Sequence, residues 1–375
     1  MQDLHTASYY TKKVTPNLPK EAFKAAPIRL LGGLAYTVFF IASAVLIAKG
    51  LPWYYCLPLS FLMGQALSGL GFLSHEIMHG HIVKNARLRD TLGALFFSHF
   101  GLGPLLWRKW HNMTHHAHTQ HPHDDPDAMA TLDELFQKPG LQAFNRMPQW
   151  VRSSILFVSF LGFFSVFCIL KLKEFWPEST PAERRTMVRQ AVVPYLFWLA
   201  VLPVVGPVAW FWIFLVPAAL SNFTVITYIT TNHHLNPHTE INDPLANSLS
   251  VAVPRWVDVL HFNFSYHTEH HLYPGMSAKW APLVKAELKK HFPGQYHELS
   301  LWKAMVLIWK TPRVYHNSTE LVDIKTGVAY PTLGYGMTAN KLEAKPFEVP
   351  WPAHLAPQKP QAATARTTQT PGFGD

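Results

Sequence analysis

Uninterrupted apolar segments restrict this chain to folds that a membrane can accommodate. The segment Leu30–Ala48 (LLGGLAYTVFFIASAVLIA) would extend about 29 Å as a helix, which matches the hydrocarbon thickness of a bilayer. Charged residues make up only 15% of the 375 residues, whereas soluble domains carry about 25%. The sequence therefore predicts an integral, multi-pass membrane protein.

Six apolar stretches compete as membrane spans, and the positions of lysine and arginine select four of them, because these residues concentrate in cytoplasmic segments. Two pairs of stretches, each joined by a turn with few charges, are predicted to form two transmembrane hairpins. Basic residues flank the outer ends of both hairpins, which places those ends in the cytoplasm. The predicted spans are residues 30–48, 53–73, 191–205 and 208–230.

Two further stretches are predicted to lie at the interface or to dip into the bilayer. Residues 92–106 are too few to cross comfortably, and residues 155–170 have basic residues on both sides. The predicted fold is an all-α integral membrane protein with four transmembrane helices in two hairpins and a cytoplasmic helical cap.

The predicted organisation has three parts, with both termini in the cytoplasm. Residues 1–29 form a cytoplasmic N-terminal segment without the features of a cleaved signal peptide. Residues 30–344 form the membrane domain. Residues 345–375, rich in Pro, Ala, Thr and Gln, are predicted to be a disordered tail.

Three histidine clusters stand beside the apolar segments, and a shared side of the membrane would let them meet. They are His75 and His79 in SHEIMHGH, His111, His115 and His116 in HNMTHH, and His267, His270 and His271 in YHTEHH. Residues four apart share a helix face, so His75 and His79 can approach one ion, and His111 and His115 repeat that spacing. His116 would point about 100° away and can address a second ion or a different quadrant of the site.

A ninth ligand is expected from TTNHHLNP, where the sequence does not choose between His233 and His234. Eight or nine imidazoles exceed the six positions of an octahedral ion, which predicts two metals, although imidazole suits zinc, copper, iron and nickel alike. Neighbouring acids can orient imidazole N–H groups; the candidates are Glu76, Glu269, Asp124, Asp125 and Asp127.

Cysteine and charge content exclude several other functions. The two cysteines, Cys56 and Cys168, are too few for a four-cysteine zinc or iron–sulfur site, so electrons for redox chemistry must come from another protein. The net charge of +9 fits the basic bias of cytoplasmic segments better than nucleic-acid binding.

The motifs resemble those of the membrane fatty-acid desaturase family, of the acyl-lipid type. HEIMH at 75–79 matches its first histidine box, HNMTHH at 111–116 its second, and NFSYHTEHHLYP at 263–274 its third; the similarity extends from about Leu30 to Pro274. The resemblance implies a di-iron enzyme that uses O₂ and two electrons to introduce a double bond into an unactivated acyl chain. It implies the eight box histidines and either His233 or His234 as iron ligands, and no catalytic residues beyond them.

The resemblance also implies a lipid or acyl substrate and a separate electron donor of the ferredoxin, rubredoxin or cytochrome b5 type. It leaves open the position of the double bond, the chain length, the head group and the oligomeric state. The alternative is a related histidine-box hydroxylase acting on an alkane, sphingolipid, sterol or carotenoid. A metal transporter is disfavoured, because transport sites lie near the bilayer midplane, whereas these histidines lie at the ends of the predicted spans or outside them.

Overall fold

The computed structural model describes residues 3–355, and most of the regular structure in them is helical. The α-helices are Ala7–Val14, Leu30–Ala48, Trp53–Met78, Ala86–Phe96, Pro104–Trp107, His116–His118, Leu132–Gln137, Pro139–Asn145, Gln149–Ser159, Phe163–Glu174, Pro181–Val205, Pro207–Trp210, Val216–His233, Pro244–Asn247, Arg255–Leu260, His267–Leu272, Ala281–His291 and Leu301–Lys310. Arg108–His115 and Phe211–Leu215 are π-helical. Single 3₁₀ turns cover Thr15–Asn17, Lys20–Phe23, Pro27–Arg29, Ser98–Phe100 and Ala278–Trp280.

Among residues 3–355, four helices are long and apolar enough to cross a membrane, which confirms the predicted number and the predominantly helical fold. In chain order the first to fourth spans are Pro27–Ala48, Trp53–Met78, Pro181–Val205 and Pro207–His233. The second span continues past residue 73 to Met78, and the third begins at Pro181 rather than at residue 191. The helices therefore extend beyond their apolar cores, and both the second and the fourth carry histidines at their ends.

A capping box sets the start of the third span. The Thr180 hydroxyl accepts a hydrogen bond from the Glu183 amide, and the Glu183 carboxylate accepts one from the Thr180 amide at 2.8 Å. Pro181 follows at the first helical position, where its missing N–H costs nothing. These local hydrogen bonds start the helix in a polar stretch, and apolar content alone did not predict that.

The second and fourth spans pack closely against each other. The Ser60 hydroxyl donates to the Trp212 carbonyl at 2.6 Å. A Cβ atom on Gly64 would lie 2.7 Å from the Cβ atom of Leu220, so only glycine allows this approach. The contact holds together the two helices that carry His75 and His233.

The two stretches that were predicted to lie at the interface or to dip into the bilayer are interrupted helices. Gln149–Ser159 and Phe163–Glu174 meet at a bend of 85°, as in a broken span or a re-entrant loop. The predicted segment 92–106 divides between Ala86–Phe96 and Pro104–Trp107, because Gly101 adopts a left-handed conformation with φ 68° between them.

Two small sheets make the all-α prediction wrong in part. Tyr315–Asn317, Glu320–Asp323, Val328–Pro331 and Lys345–Pro346 form an antiparallel sheet, and Ser250–Ala252 pairs in parallel with Glu298–Ser300. Strands of this length contain too few residues to show a reliable alternation. Of the tail predicted over residues 345–375, residues up to 355 are described, including the last strand, and the others lie outside the described residues.

Candidate metal centre

Nine imidazole rings from four separate segments converge at the ends of the second and fourth spans. In the outer group, one ring nitrogen from each histidine lies within 4.8 Å of the others; its members are His75, His79, His111, His116 and His270. In the inner group, His115, His233 and His271 meet the same limit. His267 joins the inner group, because its Nε2 atom lies 2.7 Å from that of His233 and 3.0 Å from that of His271.

The spacing between ring nitrogens is that of ligands around an ion. In the outer group the Nε2 atom of His111 lies 2.8 Å from that of His75 and 3.2 Å from that of His116. Adjacent ligands at a metal–nitrogen distance of about 2.1 Å are about 3 Å apart. Each neutral imidazole has only one N–H, so hydrogen bonds alone cannot satisfy every nitrogen turned into such a group.

The π-helix Arg108–His115 decides which group each ring of the second cluster joins. Regular α-helical spacing predicted that His111 and His115 approach one ion and that His116 addresses a second ion or a different quadrant. In the structure His111 lies with His116, five residues on, in the outer group, and it also lies within 4.8 Å of His115 and Asp127, while His115 joins the inner group. An i→i+5 helix aligns residues five apart, which explains why His111 and His116 meet.

Of the two adjacent candidates for the ninth ligand, only His233 lies in the centre. Its Nδ1 atom approaches the Asn247 carbonyl oxygen at 3.2 Å, which turns Nε2 towards His267. His234 lies in neither group, and its backbone carbonyl accepts a hydrogen bond from Arg313 at 3.5 Å.

Burial and mutual repulsion keep most of these rings neutral. Burial, followed by the charge of neighbouring rings, lowers the pKa well below the ordinary histidine value for His79, His111, His116, His267, His270 and His271. His115 differs: burial lowers its pKa, but the Asp125 and Asp127 carboxylates outweigh that effect and raise it. Neutral imidazoles offer the lone pair that a metal requires.

Asp125 is the carboxylate that orients a ring of the centre. Its Oδ1 atom accepts a hydrogen bond from His115 Nδ1 at 2.9 Å, and its Oδ2 atom accepts one from the Gln120 amide at 2.7 Å. Asp127 lies 3.5 Å from His115 Nδ1 and accepts the indole N–H of Trp110 at 2.7 Å. Asp125 therefore has the expected role of orienting the His115 ring, and Asp127 lies farther from the same nitrogen.

The other candidate acids contact groups outside the nine rings. Glu76 forms a buried ion pair with Arg29 at 2.7 Å and accepts hydrogen bonds from Ser277 and Ala278. Glu269 accepts hydrogen bonds from Ser250 and Tyr296, each at 2.5 Å. Asp124 contacts His121 away from the nine rings. Arg29 is one of the basic residues that flank the outer end of the first hairpin, and no local pattern in the sequence reveals its distant partner.

The donor set fits a pair of metal ions. The His79 Nε2 atom is buried and makes no hydrogen bond within residues 3–355. Leaving such a nitrogen unpaired is costly, and an ion in the outer group would satisfy it. Five nitrogen donors in one group and four in the other leave coordination positions for a small molecule at each.

An apolar cavity lies directly against both groups. His75, His111, His115, His233 and His267 form part of its wall, and the remainder is mainly aromatic or aliphatic: Phe72, Phe97, Phe100, Leu102, Trp107, Trp110, Phe164, Val225, Ile229 and Phe264. Phe97, Trp107, Trp110 and Phe264, which lie within 15 residues of a histidine cluster in the sequence, are among these lining residues. Phe262 lines an adjacent cavity, and Phe96 packs between the first and second spans.

Comparisons with a family model and with individual known proteins point to the same class of protein. The sequence model of a family described as fatty acid desaturase matches residues 51–302. An omega-6 fatty acid desaturase, chloroplastic, from Spinacia oleracea is 24% identical over 84% of this chain and 72% of its own length. The sn-1 oleoyl-lipid 12-desaturase of a Synechocystis species is 26% identical over 81% of this chain and 88% of its own length. The omega-3 fatty acid desaturase fat-1 of Caenorhabditis elegans is 28% identical over 52% of this chain and 48% of its own length.

Proposed function

Because this chain belongs to the fatty acid desaturase family and is therefore an oxidoreductase that desaturates fatty acyl chains, we propose that its substrate is an acyl chain of a membrane glycerolipid. The observation that carries the proposal is the apolar cavity bounded by histidines of both groups. A hydrocarbon chain can enter such a cavity without losing hydrogen bonds, whereas a polar substrate would find few partners along its walls.

The resident cofactor is proposed to be a pair of iron ions. The outer group would hold one ion through His75, His79, His111, His116 and His270, and the inner group the other through His115, His233, His267 and His271. Bound iron would supply the activation of O₂ that breaking an unactivated C–H bond requires.

The overall reaction balances as R–CH₂–CH₂–R′ + O₂ + 2 e⁻ + 2 H⁺ → R–CH=CH–R′ + 2 H₂O. Two of the four electrons that reduce O₂ come from the acyl chain, and the other two come from an external donor. Each turnover therefore depends on a reduced carrier protein as well as on the lipid.

The protein contributes placement and the exclusion of water. Phe72 and Phe264 stack with their ring centroids 4.3 Å apart beside His75, and Trp107 closes a further wall. These rings confine a flexible chain to a few positions relative to the histidines, which removes much of the entropic cost of reaction. The shape of the cavity would then select the carbon atoms that react.

The external electrons are proposed to enter through the outer group. His79, His111, His116 and His270 are partly exposed, whereas the histidines of the inner group are buried. Met113, 68% exposed, lies beside them on the outer surface. A separate carrier of the ferredoxin, rubredoxin or cytochrome b5 type that docks on this face would approach one metal site closely.

The two hairpins are proposed to open towards the cytoplasm, with the histidine boxes and both termini on that side. Three tryptophans with large exposed areas support an arrangement in which the cap rests on the membrane surface: Trp150 at 67%, Trp256 at 67% and Trp302 at 73%. Tryptophan concentrates at the level of lipid head groups. Basic residues at the outer ends of the spans favour the cytoplasmic side.

The relatives also point to a specific product. Those that align over most of this chain are named omega-6 or sn-1 oleoyl-lipid 12-desaturases. We therefore propose that the enzyme adds a second double bond at position 12 of an oleoyl chain esterified to a glycerolipid.

Product analysis tests this function directly. A bacterium that lacks desaturases but is supplied with oleate and a suitable electron donor should accumulate lipids with a double bond at position 12, measured by gas chromatography–mass spectrometry with double-bond localisation. A hydroxylated acyl product would establish the histidine-box hydroxylase instead. A new double bond at another position would preserve desaturation and overturn the proposed regiochemistry.

A matched pair of histidine variants ties that activity to the centre. His270→Ala should abolish the product while the protein still inserts into the membrane, since it removes a proposed ligand without shortening a span. His118→Ala, at an exposed position outside both groups, should retain activity within about twofold, since surface substitutions are usually benign. Equal activity of the two variants would remove the third histidine box from the ligand set.

A further inference from the structure

A shallow, open groove lies on the outer surface of the third span, apart from the histidine centre. Trp176 forms one wall, and the first turns of the span form the other. The groove is lined by Trp176, Pro181, Arg184, Arg185, Val188, Arg189, Val192 and Val193. On the span these residues recur three or four positions apart, so they share one helix face.

The end of the groove nearest the start of the helix is positively charged and lacks an internal counter-ion. Arg184 stacks over the Trp176 ring at 5.3 Å and donates to the Trp176 carbonyl at 3.0 Å. Arg185 and Arg189 are exposed and make no salt bridge within residues 3–355. No carboxylate lines the groove.

The acids near this groove do not neutralise its arginines. Glu183 is already paired with Lys109 at 2.9 Å, and Glu174 is paired with Lys171 at the same distance. Glu178 is exposed on the loop before the span and has no salt bridge among the described residues. Three guanidinium groups therefore leave the groove with an excess of positive charge.

The groove becomes apolar as the helix continues into the span. Val188, Val192 and Val193 are 36%, 44% and 54% exposed. The apolar window of this span has 0% of its residues buried, compared with 67% in the second span, so the face is open to lipid. From the helix start inward, the groove offers cations and then aliphatic groups, the order in which a phospholipid presents its phosphate and its acyl chains.

We propose that this groove binds one anionic glycerophospholipid as a resident lipid, with its phosphate on Arg185 and Arg189 and its acyl chains along the three valines. Guanidinium groups bind phosphate through paired, charge-assisted hydrogen bonds. Cations at the membrane surface also attract a net negative head group, which a zwitterionic lipid lacks. The site is separate from the acyl cavity and does not depend on the desaturation chemistry.

Lipid retention by the full-length, metal-loaded protein tests the proposal. The wild type is purified in mixed micelles containing equal amounts of phosphatidylglycerol and phosphatidylcholine, and the bound lipid is measured by native mass spectrometry. We expect one phosphatidylglycerol per chain, and roughly 30-fold weaker binding in R185Q/R189Q because two cations near the head group are removed.

Two matched variants separate charge from folding. K84Q/R87Q removes two exposed cations that make no salt bridge among the described residues and should bind phosphatidylglycerol like the wild type. R185K/R189K keeps both charges and should still prefer phosphatidylglycerol. Equal retention of the two lipids by the wild type, undiminished binding by R185Q/R189Q, or loss of the preference in R185K/R189K would each overturn the proposal.

Discussion

The pair His115 and Asp125 illustrates how single residues prepare the proposed iron site. The carboxylate accepts the Nδ1 hydrogen of His115 at 2.9 Å, which fixes the tautomer and leaves Nε2 free for a metal. The remaining oxygen of Asp125 is held by the Gln120 amide, so the acid itself cannot rotate away. The ring is therefore positioned before any ion binds.

His233 and His234 provide a matched test of the proposed ligands. His233→Ala removes a nitrogen that lies 2.7 Å from His267 Nε2, so we expect loss of iron from the inner group and loss of desaturation. His234→Ala should keep its iron, because that ring lies outside both groups. Iron per chain, measured by inductively coupled plasma mass spectrometry, distinguishes the two variants. The assignment fails if His234→Ala loses iron and His233→Ala does not.

At the scale of residues, the sequence predicts which histidines join the centre better than it predicts which of them lie next to one another. The spacing of the three histidine clusters identified eight of the converging rings. It could not choose between His233 and His234, because adjacent residues differ by about 100° around a helix and the rotation of the fourth span is set by tertiary packing. It also did not show that His111 and His116 meet in one group, since a π-helical turn has no reliable signature in one sequence.

At the scale of elements, the close contact between the second and fourth spans brings distant histidines together. Gly64 permits this contact, because an added Cβ atom would lie 2.7 Å from the Cβ atom of Leu220 and 3.1 Å from the Pro217 carbonyl oxygen. His75 and His233 lie near the ends of these same two helices. The separation of the helices therefore contributes to the geometry of the centre.

Gly64→Val should push these helices apart. We expect the free energy of unfolding to fall by about 1–3 kcal/mol, as is usual when a packed interior receives extra atoms, together with weaker retention of iron. Thermal unfolding in detergent and iron analysis measure the two effects. Gly140→Ala is the control, because a Cβ atom there would meet nothing within 4 Å. A Gly64→Val protein as stable as the control would show that the spans tolerate separation.

Apolar content predicted the existence of the spans but not where their helices end. The third span starts at the Thr180 capping box, and the second continues to Met78, where Glu76 is held by Arg29 and Ser277. Such polar contacts extend a helix past its apolar core, and those of Glu76 involve residues distant in sequence. The four-stranded sheet was missed because its strands are short and their pairing is set by tertiary structure.

At the scale of the whole molecule, the ends of the spans determine where the proposed reaction occurs. His75 and His233 lie at the far ends of the second and fourth spans, and the acyl cavity extends beside them between apolar side chains. A lipid can therefore remain in the bilayer while its chain reaches histidines that a water-soluble donor can approach.

The same architecture predicts that opposite ends of the second span face opposite sides of the membrane. Lys49 lies exposed in the turn before this 26-residue helix, and His118 lies exposed beside the histidine groups at its other end. A helix of that length covers the roughly 30 Å of the hydrocarbon core.

Lys49→Cys should react with an impermeant maleimide in intact cells, and His118→Cys only after the membrane is opened. Cys56 and Cys168 are both buried and should stay unlabelled. Labelling of both introduced cysteines from outside would contradict the proposed topology and, with it, electron delivery from a cytoplasmic carrier.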